Sequence, residues 1–227
     1  MALGRSDPRP TVSLEEGAPP GAARCPACGG PLFVWIETDG WGPREDQIVD
    51  RCENCGLVVG RETVPTPDGA AAQLFGEAGA HDGNGHGGGS VVVRAANAAS
   101  LQAWLGAENW AAMRPGDRTL KPTPKAAGLL AARRGLALGR IRHLVVPGMA
   151  AMWQTLLNLL TFHRDFASEA ISGRLRPGSG RGRAAYAIDV LVTILAATPT
   201  AILAVLLEGG AVLARRGGVI ELRAAPG

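Results

Sequence analysis

The sequence predicts a mixed α/β protein built from two unequal parts. Three observations indicate this: two close cysteine pairs in the first quarter of the chain, alternating strand and helix signals from residue 90 onward, and a long uncharged apolar segment near the C-terminus. The chain has 227 residues, which is enough for one medium domain and a small module. We expect a disordered tail over 1–20, a small module over 21–61, a Gly- and Ala-rich linker over 62–89 and a larger domain over 90–227.

The four cysteines form two pairs with metal-binding spacing. Cys25 and Cys28 enclose two residues, as do Cys52 and Cys55, and a glycine follows each pair. Two residues between thiolates let one tight turn present both sulfurs to a single ion, and the glycine permits the left-handed backbone that closes the turn. Four thiolates form the tetrahedral set that a structural zinc ion prefers, with no open position for a catalytic water. The sequence therefore predicts a structural zinc site, with redox-active pairs or free thiols as the alternative.

Strand signals around the cysteines favour a zinc ribbon. Residues 31–37 and 47–51 read as two strands joined by a turn at Asp39 and Gly40, and residues 57–59 read as a third strand. Strands that carry cysteine knuckles at their ends are typical of this small fold.

The linker contains two patterns that invite a functional interpretation. Its glycines within 83–89 resemble a phosphate-binding loop, but such a loop follows a strand and opens a helix, whereas these glycines precede a strand. His81, Asp82 and His86 are metal-ligand residue types, but a polar flexible loop is the favoured interpretation of so Gly-rich a stretch. We predict no ligand site in the linker.

The larger domain alternates between strand and helix signals. A clear helix begins after Thr123, which is a good cap, with Pro124 at its first position and Gly135 just after a basic last turn. The other expected elements are strands over 90–94, 136–146 and 218–223, a helix within 99–113 and a long amphipathic helix within 149–171.

The order of these elements resembles the second half of class I methyltransferases that use S-adenosylmethionine. Residues 88–97 (GGSVVVRAAN) match the family's Gly-Gly, strand and Pro-Asn sequence, with Ala96 in place of the proline. The helix that begins at Thr123 and Pro124, the stretch 154–158 (QTLLN) and the closing strand follow at suitable spacing, and several such methyltransferases carry an N-terminal zinc ribbon. The resemblance implies a partial Rossmann-like sheet with flanking helices, the C-terminal half of that fold.

The cofactor-binding half of that family has no counterpart here. In the family it supplies a Gly-rich loop and two acidic residues on strand–helix units, and each such unit needs roughly 30 residues. The linker is too short to hold them. The resemblance therefore carries over no catalytic and no cofactor-binding residue, and it leaves S-adenosylmethionine a doubtful cofactor. His143, His163 and Asp189 are the polar residues that would suit catalysis, but none has a recognisable partner in the sequence, which favours surface or helix-end roles.

The composition and the absence of a cofactor-binding half both indicate which partners to expect. Without a neighbour, the strand over 90–94 becomes an exposed edge, which a second copy of the chain or a protein partner would cover. Nucleic acid is disfavoured, because the net charge is only +3, aromatic residues make up 4%, and acidic residues surround the cysteines.

The apolar segment over 190–207 leaves the membrane question open. It contains eighteen residues without a charge, close to the roughly 20 that a membrane-spanning helix needs. Pro199 is expected to kink the segment or split it into two short helices. The two interpretations are a soluble or interfacial pair of short helices and a membrane span within 187–214. The predicted localisation is cytoplasmic, with membrane association through this segment as the alternative.

Three functions follow from the sequence. The leading hypothesis is a zinc-ribbon protein with a truncated methyltransferase-like domain that is inactive or depends on a partner. The alternatives are an active methyltransferase with an unusual cofactor site and a membrane-associated scaffold or protein-binding module.

Overall fold

The computed structural model describes residues 23–38, 47–76, 90–113, 120–172 and 181–227. The predicted tail over 1–20, the turn at Asp39 and Gly40 and the linker candidates His81, Asp82, His86 and the glycines of 83–89 lie outside these residues.

The cysteine-bearing part forms a small antiparallel sheet. Strands β1 (Leu32–Thr38), β2 (Gln47–Cys52) and β3 (Val58–Gly60) pair in sequence order. The pairing sets Leu32 opposite Cys52, so the cysteine turn before β1 lies beside the cysteine turn that joins β2 to β3. The three strands predicted around the cysteines are confirmed.

A second sheet joins the distant parts of the chain. It contains β4 (Val91–Ala96), β5 (Leu136–Leu138), β6 (Arg142–His143) and β7 (Val219–Pro226). Strand β7 is central and pairs with β4 on one side and with β5 and β6 on the other. Every pairing among these described strands is antiparallel, whereas a Rossmann sheet is mostly parallel. The mixed α/β class is confirmed, and the described residues do not show a Rossmann-like sheet.

The described residues also form six α-helices. They are α1 (Pro67–Phe75), α2 (Leu101–Gly106), α3 (Pro124–Arg133), α4 (Val145–Asn158), α5 (Phe166–Ile171) and α6 (Arg181–Leu213). Helix α3 begins as predicted, because the Thr123 hydroxyl accepts a hydrogen bond from the Ala126 amide at 3.1 Å. Helix α1 lies within the predicted linker, and its buried face joins the core of the molecule.

One strand and one helix are shorter in the structure than the sequence predicts. The strand expected over 136–146 consists of β5 and β6 only, because the Leu144 amide makes the last contact with β7 and the chain then turns into α4. The helix expected within 149–171 ends at Asn158. The Phe162 and His163 amides bond to the Asp189 side chain instead of continuing the helix, and Asp165 adopts a left-handed backbone with φ 55° before α5 begins.

Pro199 does not split the apolar segment, so the interpretation of this segment as a pair of short helices is wrong. Helix α6 runs through it for 33 residues. Proline supplies no backbone donor to the preceding turn. The Thr200 hydroxyl donates to the Ala196 carbonyl at 2.6 Å, and the Trp153 indole on α4 donates to the Ala197 carbonyl at 3.0 Å. These side-chain donors stabilise the turn around the proline.

The two sheets share one hydrophobic core. Cys25, Cys52 and Leu57 of the ribbon pack in the same cluster as Leu130 of α3 and Leu222 of β7. Helix α4 packs separately against α6, with Met152, Leu156 and Ala204 buried between them. The outer face of α6 remains exposed.

Candidate metal centre and buried carboxylates

The two cysteine turns have the same backbone geometry. The Cys25 amide donates to the Gly30 carbonyl and the Gly29 amide donates to the Cys25 carbonyl, at 2.9 and 2.8 Å. The second turn repeats this pattern, with Cys52 in place of Cys25, at 2.9 Å for both bonds. The residue after each pair, Gly29 and Gly56, has a φ near +70°, in the left-handed region that glycine adopts without strain. Each turn therefore aims two sulfurs at one point.

The four sulfurs have the spacing of a tetrahedral zinc site. The Sγ atoms of Cys25 and Cys55 are 3.5 Å apart, those of Cys28 and Cys52 are 3.4 Å apart, and all four lie within 4.8 Å of one another. A zinc–sulfur bond of about 2.3 Å in a tetrahedron requires sulfurs about 3.8 Å apart. Three of the cysteines are buried and Cys28 is half-buried. The predicted ligands thus lie close enough to bind a metal ion such as zinc.

The proximity of the sulfurs perturbs their proton affinities. The hydrogen bond from Cys55 lowers the pKa of Cys25 to about 5, and the same contact raises the pKa of Cys55. Burial raises the pKa of the Cys52 thiol. The cluster therefore favours one thiolate that its neighbours stabilise, and a zinc ion would displace the remaining protons. Four sulfur ligands would fill the tetrahedral coordination of such an ion and leave no position for a substrate.

Helix α3 holds the second cysteine turn in place. The Thr123 hydroxyl, which caps α3, donates to the Cys55 carbonyl at 2.5 Å, and the Lys125 ammonium donates to the Asn54 carbonyl at 2.6 Å. A side chain at Gly56 would come within 2.9 Å of the Thr123 methyl group, so the glycine serves both the turn and this close approach. The candidate metal centre is in this way continuous with the core of the larger sheet.

A wholly buried carboxylate anchors the C-terminal end of the apolar segment. The Glu208 carboxylate accepts hydrogen bonds from the Gly218 amide and from Gln102 Nε2, both at 2.8 Å. Gln102 Nε2 also donates to the Gly148 carbonyl at 2.7 Å. A side chain at Gly148 would overlap the Glu208 carboxylate, and one at Gly218 would overlap the Gln102 amide. Glu208 therefore joins α6 to α2, α4 and the start of β7.

A second buried carboxylate anchors the other end. The Asp189 side chain accepts hydrogen bonds from the backbone amides of Phe162 and His163 at 2.8 and 3.1 Å. It also lies 2.6 Å from His163 Nδ1, which must donate because a carboxylate only accepts. Asp189 is fully buried and the His163 side chain is 40% exposed. The structure thus pairs two residues for which the sequence showed no partner.

The other candidate residue, His143, lies at the opposite end of α6. A side chain at Gly217 would come 3.1 Å from His143 Nδ1 and 3.2 Å from the Glu208 carboxylate, so both groups face that glycine.

Among the described residues, the four cysteines form the one group of three or more metal-ligand side chains close enough to share an ion. Sequence reasoning missed Gln102 and Glu208. The available signal was that an acidic residue directly flanks the uncharged run over 190–207 on each side, Asp189 before it and Glu208 after it.

Helix α6 is also the one described helix that is long and apolar enough, by length and composition, to cross a membrane. Little of its apolar stretch is buried against the rest of the protein.

Comparisons with protein-family models, with curated proteins and with solved structures found no match to the chain.

Proposed function

We propose that this chain is a structural zinc protein that binds an anionic membrane surface through α6. The observation that carries the proposal is the outer face of that helix. Leu191, Ile194, Leu195, Ile202 and Leu206 are each between 57% and 69% exposed. A monomeric soluble protein rarely exposes a continuous apolar surface of this extent, because covering it with apolar material is favourable by roughly 25 cal/mol per Å². The zinc ribbon then serves as a rigid part of the body that is presented at the membrane.

The connections of α6 favour a helix that lies along the membrane surface. Strand β6 precedes α4 and strand β7 follows α6, and these strands pair directly, with Arg142 opposite Glu221 and His143 opposite Ile220. A single crossing by α6 would place β7 on the far side of the bilayer from its partner strands. A double crossing would require α4 as well, but its 14 residues extend only about 21 Å, against a hydrocarbon core of about 30 Å.

The inner face of α6 supports the same orientation. Ala204, Glu208 and Ala211 are buried, while the large apolar side chains point away from the body. The burial of Asp189 and Glu208 places the carboxylates against protein, so that lipid would meet only apolar side chains between them. Helix α6 would therefore rest on the bilayer with the rest of the protein above it.

The charges near the ends of α6 favour anionic lipid. Arg183 lies in the first turn, Arg215 and Arg216 follow the last, and all three are exposed. Basic residues near a membrane surface contribute about 1 kcal/mol each when the lipid headgroups are negative. The apolar segment between these arginines contributes contact with the lipid, and the arginines themselves contribute the preference for anionic over neutral lipids.

Co-flotation with lipid vesicles tests the proposal. The full-length protein is expected to float with vesicles of phosphatidylcholine and phosphatidylglycerol, and less with phosphatidylcholine alone. The double variant I194Q/L195Q is expected to lose at least about tenfold in apparent affinity, because two apolar side chains no longer enter the interface. L129Q, which changes an exposed leucine on α3, is the matched control and is expected to float normally. Equal flotation of both variants, or a wild-type protein that stays free of vesicles, would contradict the proposal.

Protease protection distinguishes the orientation. With terminal tags and vesicle-bound protein, a helix lying on the surface leaves both tags open to protease added outside. Protection of one tag alone would indicate that α6 crosses the bilayer.

The second proposal is a methyltransferase-like domain that depends on a partner. It rests on the resemblance of residues 88–223 and on β4, which among the described strands pairs only through its β7 side. The partner would add a strand to the other side of β4. Calorimetric titration of S-adenosylmethionine into the zinc-loaded chain tests whether the chain binds this cofactor without a partner. Saturable binding would favour the enzyme, and no binding by the chain alone or by its complexes would exclude it.

A further inference from the structure

The outer edge of β4 carries backbone groups that β7 does not pair. Among the described strands, β4 pairs only with β7, and in an antiparallel pair only every second residue of a strand bonds to its neighbour. The Asn97 amide, just after β4, donates to the Gly218 carbonyl at 2.9 Å, so the odd-numbered residues of β4 share this direction. The amides and carbonyls of the even-numbered residues, Val92, Arg94 and Ala96, therefore point away from β7.

The hydrogen bonds on the other side of β7 give the same alternation. The Arg223 and Val219 carbonyls accept bonds from the Gly139 and Leu144 amides, at 2.7 and 2.9 Å, on the side of β5 and β6. The odd-numbered residues of β7 thus point to that side, and its even-numbered residues point to β4. The register sets even-numbered residues of β4 opposite odd-numbered residues of β7, which point the other way.

A groove of about 830 Å³ runs along this edge. Its lining includes four consecutive residues of β4, from Val93 to Ala96. Because successive side chains point to opposite faces of a sheet, a groove that reaches all four of them borders the strand at its edge. Leu74 of α1 and Leu120 line the groove and belong to the core, and α4 and α5 also contribute to its walls. The groove therefore offers space beside the unpaired backbone groups.

The charges along the groove favour an acidic partner. Of the described residues that line it, Arg94 and Lys121 are charged and none is acidic. The Arg94 side chain is 69% exposed and lies 3.5 Å from the Glu221 carboxylate, which also accepts two hydrogen bonds from Arg223 at 3.1 and 3.2 Å. A guanidinium group has five N–H donors, so Arg94 keeps donors for a second carboxylate.

We propose that the edge of β4 binds an extended acidic segment of another protein, which adds to the second sheet as a strand. The pairings among the described strands of this sheet are all antiparallel, so the added strand is antiparallel as well. Its residue opposite Arg94 shares a face of the sheet with that arginine and is acidic. The two neighbours of this acid point to the core face, where Leu74 and Leu120 favour apolar side chains. Backbone bonds supply the affinity and the alternate side chains supply the selectivity.

A defined peptide tests the proposal on the full-length protein. The probe is a blocked, fluorescein-labelled peptide, Ser-Thr-Val-Glu-Val-Thr-Ser, and we expect a saturable rise in its fluorescence anisotropy. The same peptide with glutamine in place of glutamate is expected to bind about threefold more weakly, because an exposed ion pair contributes modestly. No saturable binding, or equal affinities of the two peptides, would overturn the proposal.

Methylation of the peptide backbone tests whether the peptide binds as a strand. A methyl group on the glutamate amide, which faces the Arg94 carbonyl, is expected to weaken binding at least about fivefold. A methyl group on the amide of the preceding valine, which points away from β4, is the matched control and is expected to leave the affinity unchanged. Equal affinities of the two methylated peptides would overturn the strand pairing.

Variants locate the binding to β4. R94Q is expected to remove the preference for the glutamate peptide, and R140Q, which changes an exposed arginine between β5 and β6, is the matched control and is expected to keep it. V92P removes an outward amide and no bond to β7, so it is expected to lower the affinity at least about fivefold with little change in thermal stability. If V92P does not fold, the methylated peptides still test the pairing. An R94Q protein that keeps the preference would overturn the assignment.

Sedimentation velocity checks the other occupant of the edge, a second copy of the chain. The proposal expects a wild-type protein whose oligomeric state the peptide does not change. A dimer that the peptide or V92P dissociates would assign the edge to self-association and overturn the proposal. These measurements contain neither vesicles nor S-adenosylmethionine, so their result is independent of both functions proposed above.

Discussion

The cysteine turns and the ends of α6 use similar hydrogen bonds over very different distances along the chain. Within each cysteine turn, backbone bonds join residues four or five positions apart. Around α6, Asp189 and Glu208 accept bonds from residues 10 to 106 positions away. Both regions hold separate elements together at a buried point. The first arrangement is visible as spacing in the sequence, and the second forms only when the chain has folded.

The largest effect is expected from removing a cysteine. C52S should abolish stoichiometric zinc binding, and its effect should extend beyond the ribbon because Cys52 shares a core with α3 and β7. Structural zinc contributes on the order of 10 kcal/mol, comparable to the whole stability of a domain. We expect a loss of at least about 10 °C in Tm, or of the cooperative transition itself.

Metal analysis and thermal unfolding monitored by circular dichroism check this expectation. E53Q, which changes an exposed residue in the same turn, is the control and should keep one zinc per chain. A C52S protein that still binds one zinc and melts normally would show that the cysteines are not the ligands.

The next largest effect is expected at the buried end of α6. E208L leaves the Gly218 amide and one of the two Gln102 side-chain N–H groups without an acceptor, which should lower the free energy of unfolding by about 2–4 kcal/mol. E208Q retains the size and one acceptor oxygen, so it should lose less. Denaturant unfolding of both variants measures the difference. If the leucine variant were as stable as the wild type, the apolar contacts of α6 rather than its carboxylate would hold that end.

A smaller effect is expected where the two regions meet. T123V removes both the cap of α3 and the bond to the Cys55 carbonyl, which should cost about 1–2 kcal/mol. T123S keeps the hydroxyl and should recover most of that stability in the same denaturant measurement. A T123V protein as stable as the wild type would show that the Thr123 hydroxyl contributes nothing to stability.

The smallest effect is expected at Glu221 on β7, and it depends on pH. Hydrogen bonds from Arg223, together with the charges of Arg223 and Arg94, hold the pKa of Glu221 below its ordinary value of 4.5. A depressed folded-state pKa contributes stability above the ordinary value, and this contribution is lost as the pH falls through the folded-state value. E221Q should therefore be less stable than the wild type above about pH 5, and the difference should narrow below pH 4.5.

Unfolding free energies measured from pH 7 to pH 3 check this last expectation. Loss of zinc in acid affects both proteins equally and cancels in the difference. A difference that stays constant to pH 3 would mean that the charge of Glu221 contributes nothing.

Local signals were enough for the ribbon and for α3. The Cys-x-x-Cys-Gly spacing identified all four candidate ligands, and the Thr-Pro start placed α3, because the residues that decide these structures are neighbours in the chain. The three strands around the cysteines followed from the same short-range patterns.

Tertiary contacts decided the rest. The strand expected over 136–146 was shortened because only β5 and β6 find positions on β7. Helix α6 continues past Pro199, and Thr200 and Trp153 add hydrogen bonds to the Ala196 and Ala197 carbonyls there. The sequence by itself determined the candidate metal-ligand set and the presence of a long apolar segment. Only the folded structure decided that Asp189 and Glu208 turn inward and that the opposite face of α6 stays exposed, because the donors that bury these carboxylates come from distant parts of the chain.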